Sequence, residues 1–346
     1  MNDTTEMFGP EWQLRSIIAR ARAGETLAND VLRVLRDAHR EIAEDVAKLG
    51  IDNPTRARYT ALLKSIEKII DEAYADARRV ATEGLLQIDA AERAALAGVA
   101  VSHPPSIGLE LGTQVPRALA VQAAALPHIV DEIPLRGINF GQWWTQGAKA
   151  ALSRVQDQVQ IGLVRGEHPH QIARRVHHAK SKVTGTAGGE AWKGTVKAAR
   201  TVMRTAVTAV QTRASLDGMR AAGITRVRFE AILDARTSVI CAALDDSEYD
   251  IDDADLPLPP RHPQCRSALV PIVTWASGPN AGKPVIPRGR SYESWLREQT
   301  DTTQNKILGR TRAEAWRKGY VSLGDLIARD SRPLRLTELA DQLRPH

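Results

Sequence analysis

Cysteine is scarce in this sequence of 346 residues, which contains only Cys241 and Cys265. Two cysteines cannot build a scaffold that depends on several disulfides. The sequence therefore predicts a fold held together by packing, and it favours a reducing compartment inside a cell. Hydrophobic residues make up 43% of the chain, which is enough to bury a substantial core. The length corresponds to about two or three folding units.

Long hydrophobic runs are also missing. No stretch approaches the roughly 20 apolar residues that a membrane-spanning helix requires. The first residues, Met1 to Gly9, are acidic and polar, whereas a secretory signal begins with basic residues followed by an apolar core. We therefore expect neither a membrane-spanning segment nor a signal peptide.

The first third of the chain has the apolar periodicity of long helices. Apolar residues recur at steps of three and four between Glu25 and Leu49, and again between Leu62 and Val80. Gly50 ends the first helix, and Asn53-Pro54 begins the second with a capping side chain and a proline tolerated in the first turn. The two helices are predicted to pack antiparallel, or against another subunit.

Prolines interrupt the chain between Ser102 and Ile138 and place a boundary near residue 135. Beyond it, Phe140 to Lys180 predicts two helices separated by Gly166. The whole pattern predicts a mainly helical α+β fold with a long N-terminal helical arm, a helical region with a small antiparallel sheet, and a helical C-terminal tail. The predicted domains are a docking arm, a central domain, and a linker with the tail: residues 1–134, 135–275 and 276–346.

Positive charge is concentrated in one segment. From Ala151 to Leu233 there are fourteen Lys and Arg against five Asp and Glu, although the whole chain carries only +6. Four of these cations lie on one face of a helix predicted from about Glu190 to Ala222, and we call them the basic ridge: Lys193, Lys197, Arg200 and Arg204. The ridge can contact DNA phosphates without reading sequence, or it can be an ordinary solvated helix face.

After Gly223 the pattern changes to the alternation of a β-strand. From Val227 to Leu233 the odd-numbered apolar residues point one way, while Arg226, Arg228 and Glu230 point the other, as in a half-buried strand. The apolar segment Ala268 to Val273 predicts a second strand. A small antiparallel sheet follows from these two segments.

Three residues between the strands can bind metal. Cys241, His262 and Cys265 offer two thiolates and an imidazole, which suit zinc, and Asp245 can supply a fourth ligand. The segment has no Cys-x-x-Cys pair. The alternative is that both cysteines are small packed residues in adjoining strands, and on this interpretation we expect no cofactor.

The same segment raises the alternative of a hydrolytic site. Asp234, Arg236, Asp245 and His262 can be imagined as the acidic cluster of a nuclease. An Asp and an Arg two residues apart after a strand also form a turn cap and an ion pair, and we favour this structural interpretation. A separate group of histidines is expected on the surface of a short helix: His168, His170, His177 and His178.

Two stretches match the signature of a known family. They read Asp234-Ala-Arg-Thr-Ser-Val-Ile-Cys241-Ala-Ala-Leu-Asp245 and Pro259-Pro-Arg-His262-Pro-Gln-Cys265-Arg266. Both resemble the phage Mu F-like minor head proteins, and the resemblance extends over roughly residues 135 to 330. Many members have Arg-Thr-Glu where this chain has Arg204-Thr-Ala206, and further cysteines where it has Ser238 and Ser267.

The resemblance implies a minor capsid protein of a tailed phage, carried in the virion head at the portal vertex and present in the host cytoplasm during assembly. It implies a role in head morphogenesis or DNA ejection and no enzymatic activity. The implied partners are the portal protein, capsid or scaffold proteins and, through the basic ridge, double-stranded DNA bound non-specifically. Residues 135–275 would be the head morphogenesis domain, and the family motif would be structural: Asp234, Arg236, Cys241, Asp245, His262, Cys265 and Arg266.

Two other functions remain open on the residues alone. One is a metal-dependent nuclease that acts on phage DNA. The other is a cytosolic protein that binds DNA non-specifically and has no connection with virions.

Overall fold

The chain is described by a computed structural model, which covers residues 10–48, 56–102, 131, 133–135, 138–177, 190–221, 223–274, 283–284, 289–328 and 333–338. The fold is mainly helical with a small antiparallel sheet, and this confirms the predicted fold class. The α-helices are α1 (Pro10–Ala47), α2 (Arg56–Ser102), α3 (Phe140–Val164), α4 (Pro169–Val176), α5 (Glu190–Ala221), α6 (Val239–Leu244), α7 (Tyr292–Arg297), α8 (Asp301–Leu308) and α9 (Arg310–Arg317). None of the helices in the described ranges is both long and apolar enough to cross a membrane.

In the described residues the strands form two sheets. They are β1 (Pro134–Leu135), β2 (Ile138–Asn139), β3 (Arg226–Glu230), β4 (Glu248–Asp250) and β5 (Ala268–Pro271). β1 pairs with β2, and β3 lies between β4 and β5 in an antiparallel sheet. In the central strand, Val227 is opposite Tyr249 on one side and Pro271 on the other.

The chain forms two compact units. The first combines Met1–Arg20, Asp89–Ala124 and Thr208–His346, and the second combines Ala21–Ile88 and Ala125–Val207. Each unit therefore includes residues from both sides of the boundary expected near residue 135. The three-stranded sheet belongs to the first unit, and the basic ridge belongs to the second.

The part of the helical arm from Ala21 to Ile88 packs as a hairpin inside the second unit. Ser65 Oγ donates to Asp45 Oδ2 at 3.0 Å, and Leu27 lies against Gly84. Because an early residue of α1 meets a late residue of α2, the two helices run antiparallel. This is the first of the two arrangements predicted from the sequence. The apolar periodic residues of α1 are buried along this contact, among them Val31, Leu35 and Ile42.

Gly166 separates α3 from α4, as the sequence predicted. Its φ of 66° lies in the left-handed region that glycine enters without a steric penalty. The turn brings α4 back so close to α3 that a Cβ at Gly162 would lie 2.6 Å from Ile172 Cγ1. The two helices therefore contact each other at Gly162, where a larger residue would force Ile172 to move.

The sheet is shorter than predicted, and its polar side is only partly exposed. β3 ends at Glu230 instead of Leu233, and β5 ends at Pro271 instead of Val273. Val227 and Phe229 are fully buried as expected, but Arg228 is also buried, with 5% relative exposure. Its guanidinium is 2.5 Å from Glu230 Oε1 and 3.7 Å from Asp246 Oδ1, and these carboxylates compensate its charge.

Candidate functional site

Cys241 lies in the first turn of α6, and Ser238 fixes the start of this helix. Ser238 has an extended backbone, and its Oγ accepts a hydrogen bond from the Cys241 backbone N at 3.2 Å. A serine in this position satisfies one of the N–H groups left unpaired at a helix start. Cys241 is therefore held in place, with 1% relative exposure.

A tight turn before β5 positions the other two candidate ligands. The backbone N of Cys265 donates to His262 O at 3.1 Å, and Gln264 between them has a φ of 58°. The imidazole Nδ1 lies 2.9 Å from Pro263 O, so Nδ1–H donates to this carbonyl. That hydrogen bond selects the tautomer in which Nε2 carries a free lone pair.

Together these elements form what we call the thiol-imidazole cluster: Cys241, His262 and Cys265. Cys241 Sγ is 3.2 Å from His262 Nε2 and 3.6 Å from Cys265 Sγ. All three candidate ligand atoms lie within 4.8 Å of one another. Its two cysteines belong to the core that β3 and β5 form with the end of α5, and His262 is half-buried beside them.

The two thiols of the cluster have different acidities. The hydrogen bond between the sulfur atoms raises the pKa of Cys241 and lowers that of Cys265. Burial acts against the anion at both positions, while His262 in its protonated form further favours ionised Cys265. Cys265 is therefore the thiol that ionises first.

Asp234 and Arg266 form a bidentate ion pair beside the cluster. Both guanidinium nitrogens donate to the carboxylate at 2.6 Å, and the backbone N of Arg236 donates to Asp234 Oδ1 at 2.9 Å. Tyr292 at the start of α7 adds a hydrogen bond from its hydroxyl to Asp234 O at 3.0 Å. The side chain of Arg236 is 81% exposed and its Nε lies 3.8 Å from the carboxylate. Asp234 thus links the turn after β3 to β5 and to α7.

Replacing Asp234 by asparagine is expected to lower the free energy of unfolding near neutral pH by about 1–2 kcal/mol. This value is reduced for solvent screening, because a third of the Asp234 side chain is exposed. The Arg266 guanidinium holds the pKa of Asp234 at about 2, below its ordinary 3.8. Folding lowers this pKa, so the carboxylate stabilises the fold above about pH 4, and its contribution disappears as the pH falls towards 2.

Urea unfolding of both proteins between pH 7 and pH 3 checks this prediction. The difference between them should be largest near neutral pH and should shrink on acidification. Asp252→Asn is the control, because that carboxylate is 75% exposed in its ion pair with Arg220. A difference for Asp234→Asn that stays constant with pH would show that the ion pair contributes nothing through its charge.

Asp245 lies outside the thiol-imidazole cluster. Its Oδ1 accepts from the backbone N of Ala231 at 2.6 Å, and its Oδ2 accepts from the backbone N of Tyr292 at 2.6 Å. Burial raises the pKa of Asp245 to about 6, although both backbone N–H groups act to lower it. The carboxylate therefore joins the residue after β3 to the start of α7.

The residues imagined as a nuclease site have separate partners in the structure. Asp234 binds Arg266, Asp245 accepts two backbone N–H groups, and His262 contacts Cys241. Arg236 extends into solvent apart from its long contact with Asp234. These contacts join neighbouring secondary-structure elements to one another.

The basic ridge lies on α5, and all four of its side chains are exposed. Glu25 of α1 contacts two of them: its Oε1 is 3.3 Å from Arg200 Nε, and its Oε2 is 2.7 Å from Arg204 Nη2. The sequence analysis missed Glu25, because no local pattern relates residues 175 positions or more apart. Part of the charge of the ridge is thus compensated within the protein.

Three of the four histidines lie at α4 or at its ends. His168 caps the helix, its Nδ1 accepting from the backbone N of His170 at 3.3 Å. His170 is exposed and stacks on His168 with ring centroids 5.1 Å apart. His177 follows the last residue of α4 at the C-cap. His178 lies outside the described residues.

A buried ion network in the first unit also escaped the sequence analysis. Arg93 Nε is 2.7 Å from Asp89 Oδ2, and Arg93 Nη2 is 3.0 Å from Asp217 Oδ2, with all three side chains nearly inaccessible to solvent. The spacing of four between Asp89 and Arg93 is visible in the sequence as a possible helical pair. Asp217 is 124 residues away, and only the fold brings it there.

Residues 153–270 match the family model described as Phage Mu protein F like protein. Neither a comparison with curated proteins nor one with solved structures gave a significant match. The matched segment is shorter than the resemblance noted over residues 135 to 330, and it contains both the basic ridge and the thiol-imidazole cluster. The match over residues 153–270 supports a phage Mu F-like head morphogenesis protein.

Proposed function

We propose that this chain is a minor head protein of a tailed phage that associates with the portal vertex and contacts packaged DNA non-specifically during head assembly or DNA ejection. The observation that carries the proposal is the family match over residues 153–270. Its partners are the portal protein, capsid or scaffold proteins, and double-stranded DNA. It acts in the virion head without enzymatic activity, after assembly in the host cytoplasm.

The basic ridge supports the DNA contact. Its first and last members, Lys193 and Arg204, are eleven residues apart on one helix, which places them about 16 Å apart along the helix axis. Each DNA strand has a phosphate every 3.4 Å or so along the duplex axis, so several phosphates lie within this span. Exposed side chains on long flexible stems can reach such phosphates without contacting base edges.

A substitution of Glu25 tests the proposed DNA contact directly. Its carboxylate competes with phosphate for Arg200 and Arg204, and it also repels a polyanion at close range. We expect Glu25→Gln to tighten binding to a duplex of arbitrary sequence by roughly 3- to 10-fold at low salt. Fluorescence anisotropy across a salt series measures both the affinity and its salt dependence.

Removing the ridge should have the opposite effect. Changing Lys193, Lys197, Arg200 and Arg204 to glutamine should weaken binding and reduce the slope of log K against log salt by up to about 3 or 4, since each lost phosphate contact contributes about 0.9. The matched control changes four exposed cations elsewhere in the second unit to glutamine: Arg33, Arg40, Lys64 and Lys68. Equal losses in both variants would assign the binding to net charge and contradict a role for the ridge.

Co-sedimentation with the portal protein tests the other half of the proposal. The purified chain should sediment with the portal at salt concentrations that release it from DNA. Binding to DNA without any binding to the portal would point instead to a cytosolic protein that binds DNA non-specifically. Loss of plasmid on addition of a divalent ion would favour the nuclease.

A further inference from the structure

We propose that the thiol-imidazole cluster is a zinc site in which Cys241 Sγ, His262 Nε2 and Cys265 Sγ bind one ion. The ligand spacing supports this directly. Zn–S bonds of about 2.3 Å and Zn–N bonds of about 2.0–2.1 Å at tetrahedral angles separate two sulfur ligands by about 3.8 Å, and a sulfur from a nitrogen by about 3.6 Å. The two sulfur atoms here are 3.6 Å apart, Cys241 Sγ is 3.2 Å from His262 Nε2, and all three ligand atoms lie within 4.8 Å of one another, so small shifts are enough to reach the distances of a zinc site.

The imidazole is oriented as a metal ligand. Histidines that bind zinc usually donate their other ring N–H to a carbonyl or carboxylate, which fixes the ring and directs the free lone pair at the ion. In this protein His262 Nδ1–H donates to Pro263 O at 2.9 Å, and Nε2 faces the sulfur of Cys241.

Charge and ligand chemistry favour zinc over other common ions. Two thiolates and a neutral imidazole are soft or borderline ligands, which magnesium and calcium do not select. A divalent ion bound by two thiolates is formally neutral, so the site can be buried without leaving a net charge in the core. Cys241 and Cys265 have relative exposures of only 1% and 3%.

The fourth position of the site is open to a neutral oxygen ligand. The hydroxyls of Ser238 and Ser267 both lie within hydrogen-bonding reach of Cys241, and Ser267 is buried beside it. One of these hydroxyls or a water molecule can complete the tetrahedron. The ion would then join α6 to the turn before β5. Its bonds to the ligands would hold these two elements together more strongly than the hydrogen bonds among the cysteine, serine and histidine side chains do.

The metal content of the full chain tests this inference. The untagged protein, grown with added zinc and purified under reducing conditions without chelator, should contain one zinc ion per chain by mass spectrometry of the elements. After removal of zinc, titration with Co²⁺ should give a sulfur-to-cobalt charge-transfer band and the visible bands of a tetrahedral site, saturating at one ion per chain. Cys265→Ser and His262→Ala should each lose the zinc.

Two control variants separate loss of a ligand from loss of the fold. His170→Ala removes an exposed histidine from the other unit and should keep the zinc. His262→Cys replaces one ligand by another and should restore the metal that His262→Ala loses. Absence of zinc and of cobalt bands in a protein with two titratable thiols would overturn the proposal. So would zinc that survives Cys265→Ser, or a Cys241–Cys265 disulfide whose reduction does not restore binding.

Discussion

Replacing Arg93 by methionine is expected to lower the free energy of unfolding by about 3–5 kcal/mol, because removal of one partner leaves buried charges without compensation. Arg93 and its partner Asp89 have relative exposures of 4% and 2%. Asp217 has further contacts with Arg213 and Arg220, at 3.9 Å and 3.8 Å. Asp89 therefore loses most when Arg93 is removed.

The pH dependence of this variant should show which charge is responsible. Burial already raises the pKa of Asp89 in the intact protein, against the lowering effect of Arg93. Without Arg93 that pKa must rise further, so the folded variant binds a proton more tightly than the unfolded chain does. The loss of stability should then be small below about pH 4 and should grow as the pH rises.

Urea unfolding of the Arg93→Met protein at pH 4 and pH 7 measures both effects. Arg33→Met is the matched control, because Arg33 forms an exposed helical ion pair with Asp30, and such pairs are worth at most about 0.5 kcal/mol. Replacing Arg93, Asp89 and Asp217 together by apolar residues should restore much of the stability. A loss that is the same at both pH values would mean that the packing of the Arg93 stem dominates.

Replacing Trp316 by alanine should also cost about 3–5 kcal/mol, as expected for the largest side chains in a core. Trp316 has 1% relative exposure, its Nε1 donates to Glu293 Oε1 at 3.3 Å, and the Arg297 guanidinium lies 4.7 Å from its ring centroid. The cation over the ring and the indole hydrogen bond both disappear in the variant. Trp316→Phe should recover part of the loss.

Tyr320→Ala is the control for this variant, since Tyr320 is 66% exposed and only four residues further along the chain. We expect a change within about 0.5 kcal/mol there. The core around Trp316 includes Ala242 of α6, which belongs to the segment matched by the family model. If Trp316→Ala left the unfolding of the first unit unchanged, the C-terminal helices would be an independent element instead of part of that unit's core.

Much of the helical architecture follows from local pattern. The apolar periodicity from Glu25 to Leu49 predicts α1, and Gly166 predicts the break between α3 and α4. The prediction was reliable here because an amphipathic helix repeats its signal every few residues. The ends of β3 and β5 were predicted less well, because ladder hydrogen bonds with a distant strand decide where a short strand stops.

The sequence by itself determined the mainly helical class, the exposed row of cations on α5 and the family signature, since each depends on residues that are near neighbours along the chain. The tertiary structure alone decided that Arg228 is buried, that Glu25 contacts the basic ridge and that Asp217 joins Arg93. It also decided that Cys241 meets Cys265, 24 positions away. The physical reason is the same in each case: ion pairs and the contact between two thiols depend on distances of a few ångströms in space, and the spacing of residues along the chain does not determine those distances.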